Sequence, residues 1–115
     1  MIRATKPFQK QTKDPLALAG IFDVWRDEHS DERLVTYAII TTKPNEIAAR
    51  VHNRMPAILE VDQYETWLDP HIPLDAAQDL LLPPPDSLLE TYPVDKRVNM
   101  PQHDEASLIQ AATWP

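Results

Sequence analysis

A single glycine, Gly20, stands against 12 prolines, and no cysteine occurs among these 115 residues. Glycine enters left-handed backbone without steric cost, whereas proline fixes φ and gives up a backbone donor. A chain so composed has to turn largely on Pro, Asp and Asn. The same scarcity excludes chemistry. One glycine cannot build a glycine-rich phosphate loop, and without cysteine there is no disulfide framework, no thiolate metal site and no thiol nucleophile.

At 43% hydrophobic and 25% charged residues the composition is that of a folded globular protein, and the length suits one domain. The longest uncharged apolar runs, residues 15–22 and 80–85, fall far short of the roughly 20 residues a bilayer span requires. The N-terminus is polar and basic, with no apolar core of a signal peptide. A cytoplasmic protein with no membrane contact is expected. The net charge of -7 argues against holding nucleic acid by bulk electrostatics. That average hides an asymmetry: residues 1–13 carry Arg3, Lys6, Lys10 and Lys13 and no acid, which leaves the remainder at -11. By itself this basic arm suits a solvated, frayed terminus.

The pattern along the chain predicts an α+β fold. Residues 16–25 (LALAGIFDVW) are dense in apolar and β-favouring types and predict a buried strand. A charged loop, residues 26–33 (RDEHSDER), separates them from residues 34–42 (LVTYAIITT), a second strand, so an antiparallel pair is expected. After Pro44 the period becomes helical, with Ile47, Ala48 and Val51 on one face and a helix end near His52. Residues 57–59 suit a further strand. Val61, Tyr64, Trp67 and Leu68 mark a second helix stopping before Pro70, and residues 75–82 a third, broken by Pro83, Pro84 and Pro85. Residues 86–90 suit a helical turn, residues 91–94 a short strand and residues 106–112 a terminal segment.

The stretch of residues 51–59 (VHNRMPAIL) concentrates the candidate chemistry at a helix-to-strand junction. Read alone, His52 suits two roles: a cap on its own helix C-terminus, where a cation meets the negative dipole end, or an acid/base group. Arg54 likewise suits a surface ion pair or, through its planar fork, a phosphate contact. His29, His52, His71 and His103 lie too far apart in sequence for zinc-ligand spacing, so no metal and no cofactor are expected. The acidic loop lacks the glycine of a calcium loop and suits a solvated hairpin tip. The aromatic residues Phe8, Phe22, Trp25, Tyr37, Tyr64, Trp67, Tyr92 and Trp114 sit mostly on apolar faces, where core packing is the default.

The ordered set matters more than any one motif. Ala19-Gly20-Ile21-Phe22 with Trp25, then a strand ending Thr41-Thr42, then Asn45, His52-x-Arg54-Met55-Pro56 with Leu59, Trp67-Leu68, and Tyr92-Pro93-Val94 with Val98-Asn99, resembles the SOS-response-associated peptidase (SRAP) family. The resemblance covers roughly residues 5–110. It implies a mixed, mainly antiparallel β-sheet or barrel domain with short flanking helices, acting on abasic sites in single-stranded DNA. Family proteins trap the ring-opened sugar through an N-terminal cysteine, as a thiazolidine that shields the lesion. By the same resemblance His52 is the catalytic residue that moves protons at the abasic sugar, and Arg54 is the DNA-binding residue beside it. The family motif reads His-Asp-Arg-Met-Pro. Here Asn53 replaces the Asp and removes a carboxylate that could tune its neighbour, and Asp95 stands where Ser is more usual.

The Met-Cys-Gly-Arg start, the Asn-Ala-Arg segment and the Gly-Phe-Tyr-Glu-Trp segment of a complete family member do not occur here. The chain therefore resembles the C-terminal portion of one SRAP domain, with Thr5-Lys6-Pro7-Phe8 like the sequence just past the glutamate segment. Two partners are expected besides DNA: a separate N-terminal half of the domain, and a second copy, since half a sheet exposes edges and apolar faces such as residues 16–25. The rival expectations are a non-catalytic DNA-binding or protein-interaction module and an inactive product of a truncated reading frame.

Overall fold

The computed structural model describes residues 8–10 and 12–113. Eight short strands pair antiparallel, two by two. β1 (Phe8–Lys10) pairs with β8 (Leu89–Thr91), and β2 (Ala17–Leu18) with β7 (Ile58–Leu59). β3 (Gly20–Arg26) pairs with β4 (Arg33–Ile39), and β5 (Thr41–Thr42) with β6 (Met55–Pro56). Three short helices, α1 (Glu46–Ala49), α2 (Tyr64–Leu68) and α3 (Leu74–Asp79), flank them. The α+β class, the antiparallel pairing and the short helices agree with the sequence reading. Among the described residues the four ladders do not close into a barrel.

Three of the ladders meet at a node built from backbone. Ala19 N–H donates to the Ala57 carbonyl at 2.8 Å, Ala57 N–H to the Ile40 carbonyl at 2.8 Å, and Ile40 N–H to the Ala19 carbonyl at 2.9 Å. Each of the three residues interrupts its own strand, and the ring of bonds satisfies backbone groups that the interruptions would otherwise strand in the core. Ala19 and Ala57 are fully buried here. Leu59 joins them in one apolar cluster, against which Ile40, Tyr64, Trp67, Leu80 and Leu81 pack. A second cluster of Ala48, Met55, Ile58 and Leu89 lies beside it and takes in Leu16, Ile47 and Leu88.

The helices are short for the reasons their flanks suggest. Asn45 is the N-cap of α1, extended at φ -73°, ψ 178°, and its Oδ1 accepts from Ala48 N–H. A turn at Val61–Gln63 with a Glu60/Gln63 capping box leads into α2, which ends at Asp69 because the residue before Pro70 is pushed to extended backbone. The helix expected to end near His52 ends at Ala49, and the strand expected over residues 91–94 runs over Leu89–Thr91 instead, where it finds β1 as its partner. The only non-glycine residue with positive φ among those described is Lys13, at φ 63°, just after β1. Gly20 has no such backbone.

Two expectations are corrected. The basic arm is not frayed throughout: residues 8–10 form β1, and Lys10 is buried. The aliphatic part of its side chain can lie in the core, which accommodates a lysine there. Residues 16–25 are not one buried strand. The chain is buried at Ala19, and beyond it Phe22 is 76% and Trp25 56% exposed, with Tyr37 of β4 at 80%. A two-stranded ribbon has no third strand at either edge, and neither β3 nor β4 contributes to the two core clusters.

Candidate nucleic-acid interface

The loop of residues 50–54 leaves α1 and enters β6, so its two ends are held by buried neighbours, Ala48 and Met55. Val51 and His52 both donate backbone N–H groups to the Ala48 carbonyl at 2.9 Å. That satisfies the last turn of α1 through backbone, and the imidazole of His52 is not used as a cap. It turns forward. Arg54 N–H donates to His52 Nδ1 at 3.0 Å, and the Arg54 carbonyl oxygen lies 3.1 Å from the same nitrogen. One nitrogen cannot accept and donate together, and the backbone N–H has a fixed direction, which assigns the neutral ring a bare Nδ1 and a proton on Nε2. The exposed edge of His52 is then a hydrogen-bond donor.

Arg54 is exposed, yet its guanidinium is anchored. Nη2 donates to the Thr41 carbonyl at 2.8 Å and to Thr41 Oγ1 at 3.0 Å, and Nε donates to Oγ1 at 3.3 Å. The β5–β6 register pairs Thr41 with Pro56 and Thr42 with Met55, so Arg54 and Thr41 are diagonal neighbours on one face. Among the described residues no carboxylate pairs with Arg54. A guanidinium held by neutral groups keeps its full charge available for an outside anion.

The loop is braced from below by residues far away in the chain. Asn45 is buried, donates from Nδ2 to the Pro84 carbonyl at 3.2 Å and receives its own support from Met55, whose sulfur accepts from Asn45 N–H at 3.3 Å. Asp86 Oδ1 accepts from Glu46 N–H at 2.9 Å. The proline triplet thus closes over the start of α1 and fixes where the helix delivers residues 50–54. The structure places the Arg54 backbone within hydrogen-bond reach of the His52 ring, while the Arg54 guanidinium rests on Thr41. The sequence reading did not identify Thr41, Asn45 and Asp86 as the residues that hold them, because each acts across a gap of 10 to 40 positions. The Thr41-Thr42 pair and Asn45 were visible as elements of the resemblance, without a role.

Local charge departs from the chain's average. Residues 43–54 hold Lys43, Arg50 and Arg54 against the single acid Glu46, within a chain of net charge -7. No helix among the described residues is long and apolar enough to cross a membrane.

The profile of the SOS response associated peptidase (SRAP) family matches residues 3–101, a span that holds the ladders, the capped helix and the His-x-Arg loop; the chain belongs to that family. It is 41% identical over 96 residues to the abasic site processing protein YoaM of Bacillus subtilis, covering 83% of this chain and 42% of that protein. It is 40% identical over 91 residues to the abasic site processing protein HMCES of Gallus gallus, covering 77% of this chain and 26% of that one. A crystal structure of a Bacteroides thetaiotaomicron protein superposes with a TM-score of 0.83 at 26% identity, over 94% of this chain and 48% of the other. The chain therefore spans less than half the length of these relatives.

Proposed function

We propose that this chain forms the C-terminal portion of a SRAP domain and supplies one wall of a centre that processes abasic sites in single-stranded DNA. In this reading Arg54 takes a phosphate next to the lesion. His52 donates a hydrogen bond from Nε2 to oxygen at the opened sugar, and Lys43 and Arg50 add to the local positive field. The observation that carries it is the Arg54 backbone locked to the His52 ring, with the Arg54 guanidinium anchored on Thr41 and unpaired with any carboxylate among the described residues. The nucleophile comes from elsewhere. These residues include no cysteine, and one positioned acid/base group contributes about 10² to 10⁴ in rate without replacing a covalent partner. The names of the relatives agree with the substrate, and in this reading the site of action is the cytoplasm.

The test is to incubate the protein with single-stranded DNA carrying one abasic site and to look for an adduct by denaturing electrophoresis and intact mass, without borohydride. The protein alone should bind in a salt-sensitive way and form no stable adduct. Supplying the section of a relative that contains the cysteine should produce the adduct, and His52→Ala should slow its appearance. A stable adduct with the protein alone would overturn this division of labour.

A further inference from the structure

The β3–β4 hairpin carries large apolar residues on both of its faces. Opposed residues of an antiparallel pair share a face, and the register sets Phe22 against Tyr37 and Val24 against Val35 on one side. On the other side it sets Trp25 against Leu34 and Ile21 against Ala38, with the polar pair Asp23 and Thr36 between them. Of these, Phe22, Tyr37, Val35, Trp25, Leu34 and Ile21 are all more than half exposed. A ribbon that meets solvent on one face alternates apolar and polar residues; one apolar on both faces belongs between two layers. Neither strand pairs with a third among the described residues, so both edges are open as well. At the base of the hairpin the apolar surface continues into an open cleft of about 330 Å³, lined by Leu18, Gly20, Leu59, Tyr64 and Trp67 among others.

We infer that the hairpin is an insertion element: it is sandwiched on both faces by the complementary section of a SRAP domain, the section that the match to relatives leaves uncovered. A second copy is the poorer occupant. An isologous contact presents one patch to its equal and would leave the other face of each ribbon in water. The complementary section has the right size, since 58% of YoaM and 52% of the Bacteroides protein lie outside the matched regions. The charged tip, with Arg26, Arg33 and the acidic residues between them, forms the polar rim at the solvent end. This inference rests on the reading of the site as a composite of two sections, and it specifies how the sections join.

The test needs no DNA, so a failure of docking and a failure of abasic-site chemistry are separable. The protein is co-expressed with the uncovered section of YoaM, and the mass of the complex is read by light scattering on a sizing column. A 1:1 complex is expected. Phe22→Lys on one face and Trp25→Lys on the other should each weaken it at least tenfold, while Leu74→Lys, on the exposed start of α3, leaves it intact. Because the partner section could fail to fold alone, the two sections are also joined in one polypeptide and hydrogen exchange of residues 20–26 and 33–39 is compared with that of the free protein. Strong protection in the joined form is expected. Sensitivity to only one of the two lysine variants, a joined form whose hairpin exchanges as fast as in the free protein, or a homodimer that protects the hairpin and resists the YoaM section would each overturn the inference.

Discussion

Arg54 rests its guanidinium on Thr41, a residue 13 positions earlier, through one backbone and one hydroxyl oxygen at 2.8 and 3.0 Å. Thr41 sets the plane of the fork, and Arg54 carries the charge. Arg54→Ala should therefore weaken binding to single-stranded DNA about tenfold and lower the slope of log affinity against log salt by about 0.7, the value for one phosphate lost from a single strand. Thr41→Val keeps the charge and the backbone acceptor and should weaken binding only a few-fold with the slope unchanged. Fluorescence anisotropy across a salt series checks both.

His52 should hold its neutral proton on Nε2, because Arg54 N–H already occupies Nδ1. Long-range proton–nitrogen correlation spectra of the ring report the tautomer directly. A proton found on Nδ1 would mean that the Arg54 carbonyl, 3.1 Å away, is the partner instead, and that the outward nitrogen is a base.

Asn45 joins α1, Met55 and the proline triplet, and it is buried. Asn45→Ala removes an N-cap and leaves the Pro84 carbonyl without its donor, at a cost of about 2 to 4 kcal/mol. Urea denaturation should show that loss. Asn45→Asp, which keeps the cap acceptor but turns a second oxygen toward the Pro84 carbonyl, should also destabilise.

Backbone strain sits away from the one glycine. Lys13→Gly, at φ 63°, should raise stability by up to about 1 kcal/mol. Gly20→Ala is expected to be tolerated, since an added Cβ would meet the Ala38 carbonyl oxygen at 3.5 Å and Ile39 Cδ1 at 3.7 Å, both ordinary contacts. Thermal unfolding of the two variants tests the pair.

Asp95 caps a short turn at Lys96–Asn99. The backbone N–H of Arg97 at 2.9 Å, followed by its guanidinium at 3.1 Å, holds the carboxyl below the usual carboxylate range. A depressed folded-state value contributes stability that is present above the ordinary pKa of about 3.9 and is lost as pH falls through the lower folded value. Between the two values the unfolded chain binds more protons, so stability rises with pH there. Asp95→Asn should flatten that part of the urea midpoint against pH while leaving the curve near neutrality almost parallel.

Much of this was legible in the residues. The start of α1 after Pro44, the stop of α2 before Pro70, the charged hairpin tip and the His52-x-Arg54 junction all follow from proline sterics, composition and period, which act within a few positions. The tip is held as its composition suggests, with Asp27 accepting from His29 N–H and Ser30 Oγ. Less legible was the edge of each strand. Residues 16–25 carry one continuous apolar pattern, and nothing in it marks Ala19 as the place where the strand breaks to join Ile40 and Ala57.

The sequence by itself determined the α+β class, the family and the position of the candidate pair, because local backbone preferences and side-chain types are written residue by residue. Tertiary structure decided what the pair rests on and what the hairpin faces. Thr41 meets Arg54, Pro84 meets Asn45 and Asp86 meets Glu46 only once the ladders and the proline triplet are packed. An apolar pattern states that a surface is to be buried; it carries no information on which surface will do the burying, since the hydrophobic effect is non-directional.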